Sequence, residues 1–205
     1  MEMKKALCVV FAAVIVLSLA GCLCAYLGVF SQRGVPGLTI VAAPEQTAAQ
    51  RPPCFPDPTA NYIPLPDTEN LAQGKPVTAG EHNDVYVITN VNDGSTETYW
   101  ESKGFPGEVT IDLGGSQSVS TLAVLLNPSA VWETRTQEIA VLVSTDGESF
   151  TQVAEAAKYE FDPATGNRAR IDFDTVSAAY VRVVFTMNSS SRTGGAQAAE
   201  IAVYG

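Results

Sequence analysis

The chain has 205 residues, enough for one ordinary domain plus an anchor or tail, because single cores usually occupy about 100–200 residues. Its formal charge is -10, and from Leu71 onward 8 Lys and Arg stand against 17 Asp and Glu. A surface that acidic repels phosphates, which excludes nucleic acid and anionic lipid headgroups as main partners and favours a neutral or cation-bridged ligand.

Residues 1–30 read as a membrane anchor. Lys4 and Lys5 precede an apolar run from Ala6 to Phe30, 25 residues broken only by Ser18 and Tyr26. At about 1.5 Å per residue a helix of that length exceeds the roughly 30 Å hydrocarbon core, so it spans with some tilt. The two lysines, against a lone Arg33 on the other side, predict an N-terminus inside. A competing reading is a lipoprotein signal, because Leu19-Ala20-Gly21-Cys22 matches the bacterial lipobox and would lipidate Cys22. Against it, Leu23 to Phe30 stays apolar, whereas a signal-peptide core is only about 7–15 residues long. A cleaved, secreted form is the third alternative. All three put the remainder of the chain outside the membrane.

Residues 31–66 hold eight of the twelve prolines, which rules out a helix and predicts a semi-extended linker. Cys8, Cys22 and Cys24 sit in the apolar run and only Cys54 lies beyond it, so no disulfide can form within a following domain. Cys54 is a free thiol or a site of intermolecular pairing.

From residue 67 to 205 the apolar residues alternate with polar ones: Val109, Ile111 and Leu113; Ile139, Val141 and Val143; Ile171 and Phe173; Val181, Val183 and Phe185; Ile201 and Val203. That is the period of a strand with one buried face. Gly114-Gly115, Asp146-Gly147 and Gly166-Asn167 supply turn chemistry between the runs and predict hairpins. The expectation is an all-β domain, an antiparallel eight-stranded β-sandwich or jelly roll.

Six blocks in order carry a family resemblance: Asn70 to Val77; Val91-Asn92-Asp93-Gly94 with Thr98 and Trp100; Val109 to Gly114; Val143 to Gly147 with Phe150; Tyr180-Val181-Arg182; and Glu200 to Gly205. Together they resemble the discoidin, or coagulation factor 5/8 type C, family in its bacterial branch. That resemblance implies a galactose-binding-like jelly roll, and it covers the domain but not the anchor. It also implies a structural calcium ion held by the carbonyls of Asn90, Ser95 and Ala199, the carboxylates of Asp93 and Glu200, and the carbonyl and hydroxyl of Thr98. The loop from Asn90 to Thr98 is dense in the oxygen donors that such a cation takes, without the spacing of an EF-hand.

Sugar recognition needs an aromatic face for the ring and a few fixed polar groups for the hydroxyls. Three stretches between strands offer them: Gly80 to Tyr86 with His82 and Asn83, Asn127 to Arg135 with Trp132, and Asn188 to Gly195. Trp132 with Arg135 gives the aromatic and polar pair, and by the resemblance Arg135 and Glu101 stand where relatives face a sugar. The bland alternatives are that Trp132 covers the end of the sandwich and that His82 is an ordinary surface histidine. With one histidine, no Gly-x-Ser-x-Gly elbow and no His-Glu-x-x-His, no catalytic set is met, and the chain is not expected to be an enzyme. The expectation is a tethered extracytoplasmic module that binds a neutral glycan or polysaccharide. The alternative is an envelope protein-interaction module that does not bind sugar.

Overall fold

The structure, a computed structural model, describes residues 57–190 and 192–205. The anchor expected over residues 1–30, the lipidation site at Cys22, Cys54 and most of the linker lie outside the described residues. Among the described residues no helix is long and apolar enough to cross a membrane.

The described chain is built of strands: β1 (Val77–Ala79), β2 (Trp100–Glu101), β3 (Gly107–Leu125), β4 (Arg135–Ser144), β5 (Thr151–Phe161), β6 (Arg168–Asn188), β7 (Gln197–Ala198) and β8 (Glu200–Tyr204). The main sheet runs β1-β3-β6-β4-β5, with β8 also on β3, and β2 pairs with β7. All pairs are antiparallel.

Two long strands serve both layers of the sandwich. Pairing of β3 with β6 runs from Gly107↔Phe185 to Asp112↔Tyr180, shifts at a bulge before Gln117, shifts again between Val119 and Thr121, and ends at Leu125↔Arg168. The first part of β3 lies beside β1 and the last part beside β8, while β4 follows only the C-terminal half of β6. The first of these shifts spans Gly114-Gly115, read from sequence as a hairpin. Both glycines have positive φ, 78° and 151°, so the backbone bends there without reversing. Asp146-Gly147 does turn the chain, from β4 into β5, and Gly166-Asn167 turns it into β6.

The alternating runs close the core. Val109, Ile111 and Leu113, Ile139, Val141 and Val143, Val181, Val183 and Phe185, and Ile201 and Val203 are all buried in one cluster with Trp100. The opposite face of β3 and β8 carries a smaller cluster of Ala123, Ala202 and Tyr204, covered by Leu65 and Leu125. Residues just before Leu65 also lie against the domain. The Arg168 guanidinium sits 4.8 Å over the Tyr62 ring, and Ile63 N donates to Thr165 O at 3.0 Å.

The ends of the domain are joined by hydrogen bonds. Leu71 N donates to Val203 O at 2.8 Å, and Asn70 Oδ1 accepts from both Ala72 N and Val203 N at 3.0 Å. Asn70→Ala strips two backbone donors of their acceptor, and each part-buried donor left unpaired costs about 1–3 kcal/mol. The expected result is a lower urea midpoint with an unchanged slope; an unmoved midpoint would show that water replaces the amide.

Candidate functional site

The site is built outward from the short pairing of β2 with β7, in the register Trp100↔Ala198 and Glu101↔Gln197. Trp100 turns into the core, its ring 6.0 Å from that of Phe185. Glu101 and Gln197 instead line a pocket of about 410 Å³, with Tyr86, Tyr99, Val131, Trp132, Arg135 and Arg192 around them. That volume lies within the usual range for a small-molecule site.

One wall is aromatic. Tyr86 stacks on Tyr99 at 4.2 Å, and Tyr99 meets the edge of Trp132 at 4.8 Å and 85°. Burial, then the Tyr86 hydroxyl, raises the pKa of the Tyr99 phenol, so it stays a neutral hydroxyl. Trp132 is half-buried against the core, so it both covers the end of the sandwich and keeps a face to the pocket.

The floor is a row of fixed polar groups. Arg135 Nη1 donates to Gln197 Oε1, and Gln197 Nε2 donates to Glu101 Oε2 at 2.9 Å. Asn83 Nδ2 donates to the other oxygen, Glu101 Oε1, at 2.8 Å. Gln197 is held in turn by Gln137, whose Oε1 accepts from Gln197 N and whose Nε2 donates to Gln197 O. Arg135 and Gln197 are each only 6% exposed, and the guanidinium lies 5.1 Å from the Trp132 ring centroid. Burial lowers the arginine pKa, yet Arg135 Nε finds no hydrogen-bond partner.

Of the six ligand residues expected from sequence, Glu101, Trp132 and Arg135 line this pocket. Asn83 stands behind Glu101, and Asn188 Nδ2 lies 3.4 Å from Gln197 Oε1, one step removed. His82 is exposed, bridges to Ser102 through its backbone, and is not part of the lining. Tyr86 and Arg192 fall inside two of the stretches singled out from sequence without being named as ligand residues, while Tyr99 and Gln197 lie outside them. Tyr99 had a signal, an aromatic residue immediately before Trp100 at the mouth of β2.

The expected metal residues gather elsewhere. Glu200 Oε1 accepts from Gly94 N and from Ser95 N, joining the start of β8 to a loop over one hundred residues earlier. Asp93 Oδ2 accepts from Thr98 Oγ1 at 2.7 Å, and Asp93 Oδ1 from Ser95 N at 2.8 Å. Burial, with Asp93 beside it, pushes the Glu200 carboxyl up to about 7, against the pull of the Gly94 and Ser95 N–H groups. Asn90 lies in the 3-10 turn that ends at Asp93, and Ala199 immediately precedes Glu200. Among the described residues no three His, Cys, Asp or Glu side chains cluster as metal ligands, so any ion here rests on two carboxylates completed by carbonyls and a hydroxyl. Two facing carboxylates with those neighbours fit a hard cation.

Gln197→Leu tests the floor. It leaves Glu101 Oε2 and Arg135 Nη1 buried without the amide between them, and unpaired buried polar groups cost about 1–3 kcal/mol each, more when charged. The urea midpoint is expected to fall by more than in Asn70→Ala; a smaller fall would mean that the bridge contributes little.

Residues 90–183 match the model of a family described as a NedA-like, galactose-binding domain of the F5/8 type C kind. No curated protein matches the chain. Among solved structures it is similar to the CBM32 module of AlyQ in complex with 4,5-unsaturated mannuronic acid, at 26% identity and TM-score 0.53, covering 63% of this chain and 93% of that one. It is also similar to chitosan-binding module 1 of the chitosanase/glucanase from Paenibacillus sp. IK-5, at 25% identity and TM-score 0.54, covering 67% and 100%. A third likeness is truncated AlyQ with its CBM32 and alginate lyase domains, at 25% identity and TM-score 0.53; the match covers 63% of this chain and 31% of that one, so some similar modules are parts of enzymes. The described domain is therefore similar, over residues 90–183, to the F5/8 type C, galactose-binding-like family, and it has the all-β sandwich fold of the carbohydrate-binding modules it resembles.

Proposed function

We propose that the chain is a membrane-tethered, extracytoplasmic carbohydrate-binding module that captures or attaches to glycan and performs no catalysis itself. The observation that carries this reading is the pocket, where the Tyr99 and Trp132 rings stand over the fixed Glu101–Gln197–Arg135 row. Aromatic faces take the C–H surface of a sugar ring, and the carboxylate, amide and guanidinium offer both acceptors and donors to its hydroxyls. The similar modules named above bind sugars by their own descriptions, which supports the reading. The apolar run from Ala6 to Phe30 supports the tether.

A calorimetric titration of the full chain with a panel of sugars and polysaccharides tests the binding. Saturable heat is expected, weakened at least about tenfold by Trp132→Ala, as for an aromatic anchor at the centre of a binding site. A silent panel would shift the function to a protein partner.

Calcium is proposed as a structural ion held by Asp93 and Glu200 with the carbonyls of Asn90, Ser95, Thr98 and Ala199 and the Thr98 hydroxyl. Its role would be to clip β8 to the early loop, and a ligand that binds only the folded state stabilises by about 2.7 kcal/mol at roughly 100 times its Kd. The melting temperature is expected to rise with calcium and to stop responding in Asp93→Asn. An unresponsive wild type would remove the ion from the account.

A further inference from the structure

The pocket's own charge runs opposite to that of the domain around it. From Leu71 onward acids outnumber bases by 17 to 8, yet the charged groups lining the pocket are Arg135, Arg192 and a single carboxylate, Glu101. The total charge favours a neutral ligand, but a bound group responds to the potential of the residues it touches, since distant surface charges are screened beyond about 8 Å at physiological salt.

The unused bonding capacity is also on the cationic side. Both Glu101 oxygens already hold amide N–H groups, from Asn83 and Gln197. Arg135 is buried, makes no ion pair among the described residues, gives one N–H to Gln197 and leaves Nε without a partner. Arg192 stands at the rim, its Nη2 2.8 Å from the exposed Glu133 carboxylate, a solvated pair that holds it only weakly. A buried guanidinium that makes no ion pair of its own and reaches Glu101 only through Gln197, beside a second guanidinium held in a solvated rim pair, fits an anionic acceptor supplied by the ligand.

We infer that this pocket selects a carboxylate-bearing sugar, a uronic acid residue of an acidic polysaccharide, over its neutral counterpart, with Arg135 and Arg192 receiving the carboxylate. The inference rests on the glycan-binding reading above and deepens it. The similar modules do not choose the sugar class, since one is described with a mannuronic acid and another as chitosan-binding, and those sugars carry opposite charges.

The test is a calorimetric titration of the full chain, held in a non-glycosidic neutral detergent, with galacturonic acid, its methyl ester and galactose, and with the glucuronic acid series in parallel. In at least one series the acid is expected to bind about tenfold tighter than the ester and the neutral sugar, the scale of one charge-assisted hydrogen bond, and the advantage is expected to shrink as salt is raised. Arg192→Gln is expected to lower the acid-to-ester ratio severalfold, while Lys158→Gln, an exposed cation of β5 outside the pocket, leaves it alone. Because Arg135→Gln removes a buried group and could unfold the domain, the acid-to-ester comparison on the wild type decides the matter. Equal binding of acid and ester overturns the inference while glycan binding stands. Binding of neutral sugars only does the same, and no binding to any sugar overturns both.

Discussion

The structure depends most on the register of one two-residue pairing, β2 against β7. Side chains alternate across a strand, so a slip of one residue there would drive Glu101 towards the core and bring Trp100 out to the pocket. The register is fixed by neighbours that leave no freedom. Ser102 N donates to Ala196 O at 3.0 Å, and Ser102 Oγ accepts from Ala196 N at 2.8 Å. At Gly195 an added Cβ would fall 1.8 Å from the Ser102 carbonyl oxygen, a backbone atom that cannot swing aside. Glycine is required there by close approach and not by its dihedral angles.

That pairing belongs to a final segment that meets every feature of the domain in turn. Within ten residues the chain locks to Ser102 at Gly195 and Ala196, supplies Gln197 to the pocket floor, and sets Ala198 opposite Trp100. It then holds the early loop through Glu200 and reaches Asn70 and Leu71 through Val203. The hydrogen bonds among these contacts join residues 94 to 133 positions apart. Closing loops of that length is costly in chain entropy but grows only slowly with further length. Concentrating the closures in one strand pair and one strand lets a single ordering event serve them all. No disulfide takes part, because no cysteine follows Cys54.

Strand periodicity was legible because alternation is a local property: the runs around Ile111, Val141, Val183 and Val203 are the core as read from the sequence. Gly114-Gly115 misled, since the same positive φ that makes a hairpin also makes a bulge, and the choice is settled by what β3 pairs with on either side. At the site, Trp132, Arg135 and Glu101 could be found from their types and from the family resemblance. Gln197 could not, as an amide in a small-residue stretch shows nothing until its register sets it between Glu101 and Arg135. The loops that carry Tyr86 and Arg192 were legible as candidate stretches, but which of their side chains face the pocket is set only where those loops meet in the folded chain. His82 was a reasonable choice by residue type, but its backbone bridge to Ser102 places it outside the lining.

The wall that carries Val131 and Trp132 is braced from behind, which bears on how the pocket binds. The turn at Ala130–Trp132 packs against the turn at Pro163–Thr165, and Asn167 Nδ2 donates to Asn127 O across the same gap. That second turn is itself covered. Ile63 N bonds to Thr165 O, and the Tyr62 ring lies so close to Gly166 that a Cβ there would stand 2.6 Å from its Cγ. Gly166 also has φ 88°, so the position excludes a side chain on two independent grounds. A wall held in this way keeps Val131, 71% exposed, and the half-buried Trp132 in place before any ligand arrives. A ligand bound there, as proposed, would cost little loop ordering, and binding energy from a few ring contacts would be retained instead of being spent on shaping the site. On the proposed glycan-binding reading, the segment that leads into the domain lies outside the pocket lining and serves it through the rigidity it lends to the aromatic wall.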